Sequence, residues 1–164
     1  MKNKKHLPLY GIGPILCLPL AIITFILFLL SLNNKIPTTN FGHIINTIFW
    51  IIGIVFIIGA VALLIGCDTG GRLSTNIIEN RLKTNGSYRF VRNPRYSTFL
   101  LVEIGLAFVC HNLYLLIIPV LFWIEMTIVL KETEEKWLTN LYGQEYLGYC
   151  KRVNRCIPWF PKIK

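Results

Sequence analysis

Two stretches of this chain, residues 12–32 and 44–65, run without a single charged side chain. Each is long enough for an α-helix to cross a hydrocarbon core, which takes about 20 residues. A helix that is apolar on every face must lie in a large protein core or in lipid, so this feature constrains the fold more than any other. Composition agrees: 54% of the 164 residues are AVILMFWYC and 15% are charged, against about 25% charged in an ordinary soluble domain. Such a chain cannot stay solvated as a disordered coil. Five cysteines, with Cys17 and Cys110 inside apolar runs, argue against a disulfide-stapled secreted domain. Lys2, Lys4 and Lys5 precede the first run, as in a cleaved signal. That run exceeds the roughly 7–15 apolar residues of a signal core and no small-x-small cleavage site follows, so a retained helix is expected, with Pro14 and Pro19 in its first half.

A short polar turn, 33–43, carries Asn34, Pro37 and Asn40. The first long polar stretch, 66–96, holds Arg72, Arg81, Lys83, Arg89, Arg92 and Arg95 against Asp68 and Glu79. Residues 97–110 and 113–130 are mostly apolar and meet at His111-Asn112, which reads as a helical hairpin. Its first arm is short unless Tyr96 and Ser97 are drawn in. Residues 131–164 form a polar, basic tail. Three basic residues lie before the first run, six in 66–96 and seven in the tail, against one in 33–43 and none in the hairpin turn. The positive-inside rule then puts both ends and 66–96 in the cytoplasm and demands an even number of crossings. The expected fold is an all-α integral membrane protein with about four transmembrane helices, the last two a hairpin, and a cytoplasmic C-terminal helical tail. It forms a single domain, 1–65 contributing two N-terminal helices and 66–164 the rest, in a bacterial inner membrane. Cys67, Cys150 and Cys156 then face a reducing compartment as free thiols.

The net charge of +9 does not point to nucleic acid, because the bases flank apolar segments and serve as topology signals and contacts to anionic lipid. Cys150 and Cys156 lack the spacing and companions of a zinc site, and no metal is expected. Serine elbows, phosphate loops and dinucleotide glycine fingerprints are absent. Oligomeric state leaves no mark: Gly53 and Gly59 do not make a convincing small-residue contact motif.

Two cytoplasmic segments remain. The first is Gly86-Ser87-Tyr88-Arg89-Phe90-Val91-Arg92-Asn93-Pro94-Arg95-Tyr96. Arg and Tyr at headgroup depth explain its composition but not its order. Asn93-Pro94 imposes an extended or turned backbone, and Pro94 suits a first helical position. A helix opening there would aim free N–H groups at an anion. The second segment begins Glu132-Thr133-Glu134-Glu135-Lys136 and continues through Leu141-Tyr142-Gly143-Gln144-Glu145-Tyr146, Tyr149, Val153 and Ile157-Pro158. Glu132 and Glu135 are expected to share one helix face. Gly143 is expected to end that helix, with the Tyr146/Tyr149/Val153 stripe opening another against the membrane surface.

In this order the motifs Gly-x-Tyr-x-x-x-Arg-(His/Asn)-Pro-x-Tyr, apolar hairpin, acidic cluster, (Phe/Tyr)-Gly-x-x-Tyr-x-x-Tyr-x-x-x-Val and Ile-Pro, covering roughly Asn80 to Pro158, resemble the isoprenylcysteine carboxyl methyltransferase and phospholipid methyltransferase family. The resemblance implies a membrane enzyme that uses S-adenosylmethionine bound at the cytoplasmic side. Carried over by position, it implies cofactor contacts from Asn80, Arg81, Leu82, Lys83, Tyr88, Asn93, Pro94, Arg95 and Tyr96. The acid for the cofactor's amino group falls on Glu132, with Glu134 and Glu135 as neighbours. Carboxylates suit an ammonium, N–H groups or Arg a carboxylate, and aromatic faces a sulfonium or adenine.

Two positions depart from the pattern. Asn93 stands for the usual His and cannot act as an acid or base near neutral pH. The Arg expected one turn before the acids, where an isoprenylcysteine carboxylate would dock, is replaced by Thr127-Ile128, with Lys131 the nearest base. Glu103 and Glu125 sit inside apolar runs, where an ionised side chain costs about 2.5–3.5 kcal/mol. Each is expected either to lie within two turns of the interface or to be protonated and bonded to Asn112, Thr98 or a backbone carbonyl, unless it faces a pocket. Glu125 is the candidate base for an amine acceptor, and Arg92, the second catalytic candidate, could with Arg95 hold a lipid phosphate. The implied partners are membrane lipids and a lipid or lipidated acceptor bearing a carboxylate, amine, phenol or thiol. Tyr149-Cys150-Lys151-Arg152-Val153 is also similar to the tail of NADPH-dependent membrane sterol reductases, although Ser97-Thr98 stands where those carry Gly and an acid. A non-catalytic membrane subunit keeping the scaffold is the remaining alternative.

Overall fold

The computed structural model describes residues 13–39, 41–71 and 73–162; Lys2, Lys4, Lys5, Asn40 and Arg72 lie outside them. The two uncharged runs become α1 (Gly13–Leu32) and α2 (His43–Gly66), about 30 and 36 Å long at 1.5 Å per residue. A short helix α3 (Leu73–Ile78) and a 3-10 turn (Gly86–Arg89) lead to α4 (Pro94–Val109). After the hairpin turn come a 3-10 turn (Leu113–Leu116), α5 (Ile117–Glu132), α6 (Glu134–Tyr142) and α7 (Gln144–Arg152). Among the described residues the sole extended pairing is one parallel bridge, Val91 to Asn154. The segments His43–Gly66 and Leu113–Tyr142 are long and apolar enough to cross a membrane. Pro94 opens α4, where its missing N–H is harmless. The helix thereby takes in Tyr96 and Ser97 and reaches 16 residues.

α4 is the central helix, with α2 along one side and α1 and α5 on others. The α2–α4 contact is close because both partners are glycine: a Cβ on Gly53 would stand 2.7 Å from the Gly105 carbonyl, and one on Gly105 2.9 Å from the Gly53 carbonyl. The outer face of α2 is exposed among the described residues, at Ile44, Val55, Ile58 and Ile65. Two apolar clusters mark the ends of the bundle. Ala107, Cys110, Leu115 and Ile118 gather at the hairpin end with Leu27, Phe28 and Ile36, where Thr39 bonds the His111 carbonyl through both its N–H and its hydroxyl. Cys17, Leu100, Phe122, Met126, Leu130 and Cys156 gather at the opposite end. α1, α2, α4 and α5 therefore alternate in direction, and the start of α1, the end of α2, the turn ahead of α4 and the tail all meet at one end. All five cysteines are free thiols.

The tail differs from expectation in one respect. Tyr146, Tyr149 and Val153 form a buried cluster with Leu82 and Leu138 and do not face the membrane surface. The reason is polar: the Tyr149 hydroxyl donates to the Tyr88 carbonyl at 2.6 Å, a buried acceptor that the stripe covers.

Candidate functional site

The turn before α4 is seated on the end of α2 by backbone contact. Gly86 has φ 59, and a Cβ there would lie 2.3 Å from the Gly66 carbonyl. Only glycine fits this conformation and this gap. Ser87 follows, donating its hydroxyl to Leu63 O at 2.7 Å. Tyr88 is buried, which raises its hydroxyl above the usual tyrosine value. The Lys83 ammonium lies 5.8 Å from the Tyr88 ring centroid. Lys83 is itself buried and donates to the carbonyls of Thr69 and Gly71. One face of the Tyr88 ring thus already holds a cation, and Lys83 staples the loop after α2. Asn80 adopts φ 51 to close α3 while Arg81 N–H returns to Asn76 O at 2.8 Å, a left-handed cap that Asn tolerates. The Asn80 Oδ1 is buried without a partner. Arg81 is exposed and pairs with Glu79, and Leu82 packs under Tyr146.

Residues 91–97 are zipped to the tail. Arg92 N–H donates to Asn154 O at 2.8 Å, and Asn93 donates to Arg155 O through its backbone N–H (3.2 Å) and its Nδ2 (3.1 Å). Ser97 Oγ reaches Cys156 O at 2.5 Å. The N–H groups of Arg92 and Asn93, just ahead of the first turn of α4, are taken by tail carbonyls. An extended stretch beside another extended stretch satisfies its own backbone first.

The three glutamates separate at Thr133. Its φ of −123 and ψ of −82 break the helix between α5 and α6, and its hydroxyl bonds back to Val129 O at 2.6 Å. Glu132 and Glu135 therefore do not share a face. Glu132 is exposed and pairs with Lys136, which lowers its carboxyl below the usual range. Glu134 Oε1 accepts the Tyr96 hydroxyl at 2.8 Å. Glu135 lies between two guanidiniums: Arg92 Nη1 at 3.0 Å, Arg155 Nε at 2.6 Å and Arg155 Nη2 at 3.0 Å. That bond holds Arg155 above its usual value. Arg92 Nη1 also reaches the Tyr146 hydroxyl at 3.4 Å and the Cys150 sulfur at 2.6 Å, while its Nε is buried with no partner. Pro94 is buried, and Arg95 is exposed.

The turn and the acidic start of the tail, distant in sequence, thus form one site, joined through Tyr96–Glu134 and Arg92–Glu135. Arg155, Tyr146 and Tyr149 complete it. Nothing in the spacing singles out Arg155. Glu125 is half-buried on α5 and Glu103 is buried on α4. Glu103 bonds Thr24, not Asn112, which donates to Ser31, nor Thr98, which donates to Ala60 O and Pro94 O. Lys131 is exposed.

Residues 41–145 match the phospholipid methyltransferase family. The chain belongs to that family. It is similar to the "Probable protein-S-isoprenylcysteine O-methyltransferase" of Oryza sativa subsp. indica, 29% identical over 65% of this chain and 59% of the rice protein. Protein-S-isoprenylcysteine O-methyltransferase B of Arabidopsis thaliana is 29% identical over 56% of this chain and 49% of its own length. Methyltransferase A of the same plant is 26% identical over 92% of this chain and 74% of its own length. The chain thus spans about three-fifths of the rice relative it matches. No solved structure matches it. The match to the phospholipid methyltransferase family includes the α4 turn, the hairpin and both acids that contact the turn.

Proposed function

We propose that this protein transfers a methyl group from S-adenosylmethionine to a lipid or isoprenoid-like acceptor at the cytoplasmic face of a membrane that α1, α2, α4 and α5 cross. The observation that carries the reading is the 2.8 Å contact between Tyr96 and Glu134, which sets a carboxylate and an aromatic ring side by side where the α4 turn meets the tail. Of the three glutamates, we assign Glu134 to the cofactor's ammonium, because Glu132 is exposed and paired with Lys136 and Glu135 is held by two guanidiniums. The partnerless Arg92 Nε is a donor for its carboxylate, and the Tyr96 ring suits its cationic sulfur. Tyr88 and Lys83 support the turn, Asn93 and Pro94 fix its junction with the tail, and Asn80 to Leu82 close α3 beneath it. Arg95, exposed beside the opening of α4, suits a lipid phosphate, and Glu125 suits the proton of an amine acceptor.

S-adenosylmethionine supplies a methyl carbon already activated by its sulfonium. What the chain adds is orientation, which is worth a large part of the barrier in an in-line displacement. The described basic residues of 66–96 and of the tail, such as Lys83, Arg92, Arg95, Lys131 and Arg155, belong to segments that meet at one end of the bundle and favour that end as cytoplasmic. Lipid extracts from membranes with and without the protein, incubated with methyl-labelled S-adenosylmethionine, test the reading. A labelled lipid present only with the protein is expected, and identical label in both extracts would contradict it.

A further inference from the structure

Glu103 lies mid-way along α4 and is 5% exposed. Its Oε1 accepts the Thr24 hydroxyl of α1 at 3.3 Å. Its Oε2 is buried and has no hydrogen-bond partner. A buried carboxyl oxygen left unmatched is destabilising, and an apolar side chain of similar size would pack there without that penalty. The neighbourhood says what the oxygen is there to meet. Cys17 of α1 packs against Leu100, Phe122 and Met126. Tyr96 packs on the same cluster while bonding Glu134. Glu103 follows Tyr96 by seven residues, which is two turns along the same helix face and about 10 Å deeper. Among the described residues, the seam between α1, α4 and α5 is thus lined by apolar side chains, with the Tyr96–Glu134 bond at one end and the unpartnered Glu103 oxygen within.

We infer that Glu103 Oε2 receives a hydroxyl carried by the acceptor lipid about 10 Å along its chain from the methyl-accepting atom, and that this contact selects hydroxyl-bearing lipids. A hydroxyl fits because it donates to a carboxylate and accepts from a carboxylic acid, so the contact survives either protonation state. The position of the reacting end rests on the methyl-transfer reading; the site at Glu103 does not.

The test uses the full chain in lauryl dimethylamine oxide, a detergent without hydroxyls. Dicyclohexylcarbodiimide, an apolar carboxyl reagent, is applied with oleyl alcohol or with octadecene, and modification of Glu103 is followed by mass spectrometry. Oleyl alcohol is expected to slow modification about fivefold, the equivalent of one hydrogen bond, and octadecene to leave it unchanged. No modification of Glu103, or equal protection by both lipids, would overturn the inference. In parallel, Glu103→Leu is expected to keep S-adenosylhomocysteine binding and to keep or raise Tm; a lowered Tm would assign Glu103 to packing and overturn the inference. If the unaltered protein fails to bind S-adenosylhomocysteine while oleyl alcohol still protects Glu103, the methyl-transfer reading falls and the hydroxyl site stands.

Discussion

The Arg92 guanidinium lies 3.0 Å from the Glu135 carboxylate, and that pair, beside the Tyr96–Glu134 bond, ties the turn ahead of α4 to the helix that follows α5. Arg155 grips the same carboxylate from the tail. Two guanidiniums around one acid leave Glu135 as the hub of the site, and their geometry positions Glu134, its neighbour in sequence, beside Tyr96.

Glu135→Ala is expected to destabilise the protein by about 3 kcal/mol, because it leaves Arg92, whose side chain is 9% exposed, with an uncompensated charge. Denaturant unfolding in detergent measures this. The triple change Arg92→Met and Arg155→Met with Glu135→Leu is expected to recover much of the loss, since an apolar replacement of the whole triad is less harmful than an uncompensated charge. If Glu135→Ala unfolds like the unaltered protein, the triad does not hold the tail.

The α2–α4 approach makes a second prediction. Gly105→Ala places a Cβ 2.9 Å from the Gly53 carbonyl and 2.7 Å from Ile57, and is expected to cost about 1–3 kcal/mol through separation of the helices. Gly59→Ala, whose nearest neighbour would be Leu101 at 3.9 Å, is expected to be neutral. Equal Tm values for the two variants would show that the helices are not so closely packed.

These contacts show what the sequence could and could not reveal. The uncharged runs announced α1 and α2 because a helix with no polar face has few places to go. Pro94 and Gly143 marked helix ends because ring and φ restrictions act locally, and Gly143 has φ 56 in the structure. The break at Thr133 was not legible: Thr is tolerated inside helices, and here its hydroxyl bonds the preceding turn. Without that break Glu132 and Glu135 fall on one face, and Glu134 looks peripheral. The partners of Arg92 and of the Arg92 and Asn93 N–H groups depend on a tail about 60 residues away in the chain, and no local pattern encodes such a contact. The choice of Thr24 for Glu103 is hidden for the same reason.

Alkaline pH should loosen the tail. Burial pushes the Cys156 thiol from 9.0 up to about 11 and raises the hydroxyls of Tyr88, Tyr146 and Tyr149 above their ordinary 10.0. The folded state thus keeps protons that the unfolded chain releases. Stability from these groups is complete below pH 9.0 and is lost as pH rises toward 11. Tm measured across that window is expected to fall, with the tyrosinate absorbance of Tyr88, Tyr146 and Tyr149 appearing only on unfolding. Tyrosinate absorbance from all the tyrosines near pH 10.0 in the folded protein would contradict the burial of the stripe.

The proposed cofactor site is tested most directly by calorimetric titration of S-adenosylhomocysteine into the purified protein and into Glu134→Gln, Tyr96→Phe and Glu132→Gln. The account predicts binding to the unaltered protein, a loss of about tenfold or more for Glu134→Gln, where a charged hydrogen bond to the ligand's ammonium is weakened, a smaller loss for Tyr96→Phe, and no change for Glu132→Gln. Absence of binding to the unaltered protein, or a loss at Glu132 with none at Glu134, would contradict it.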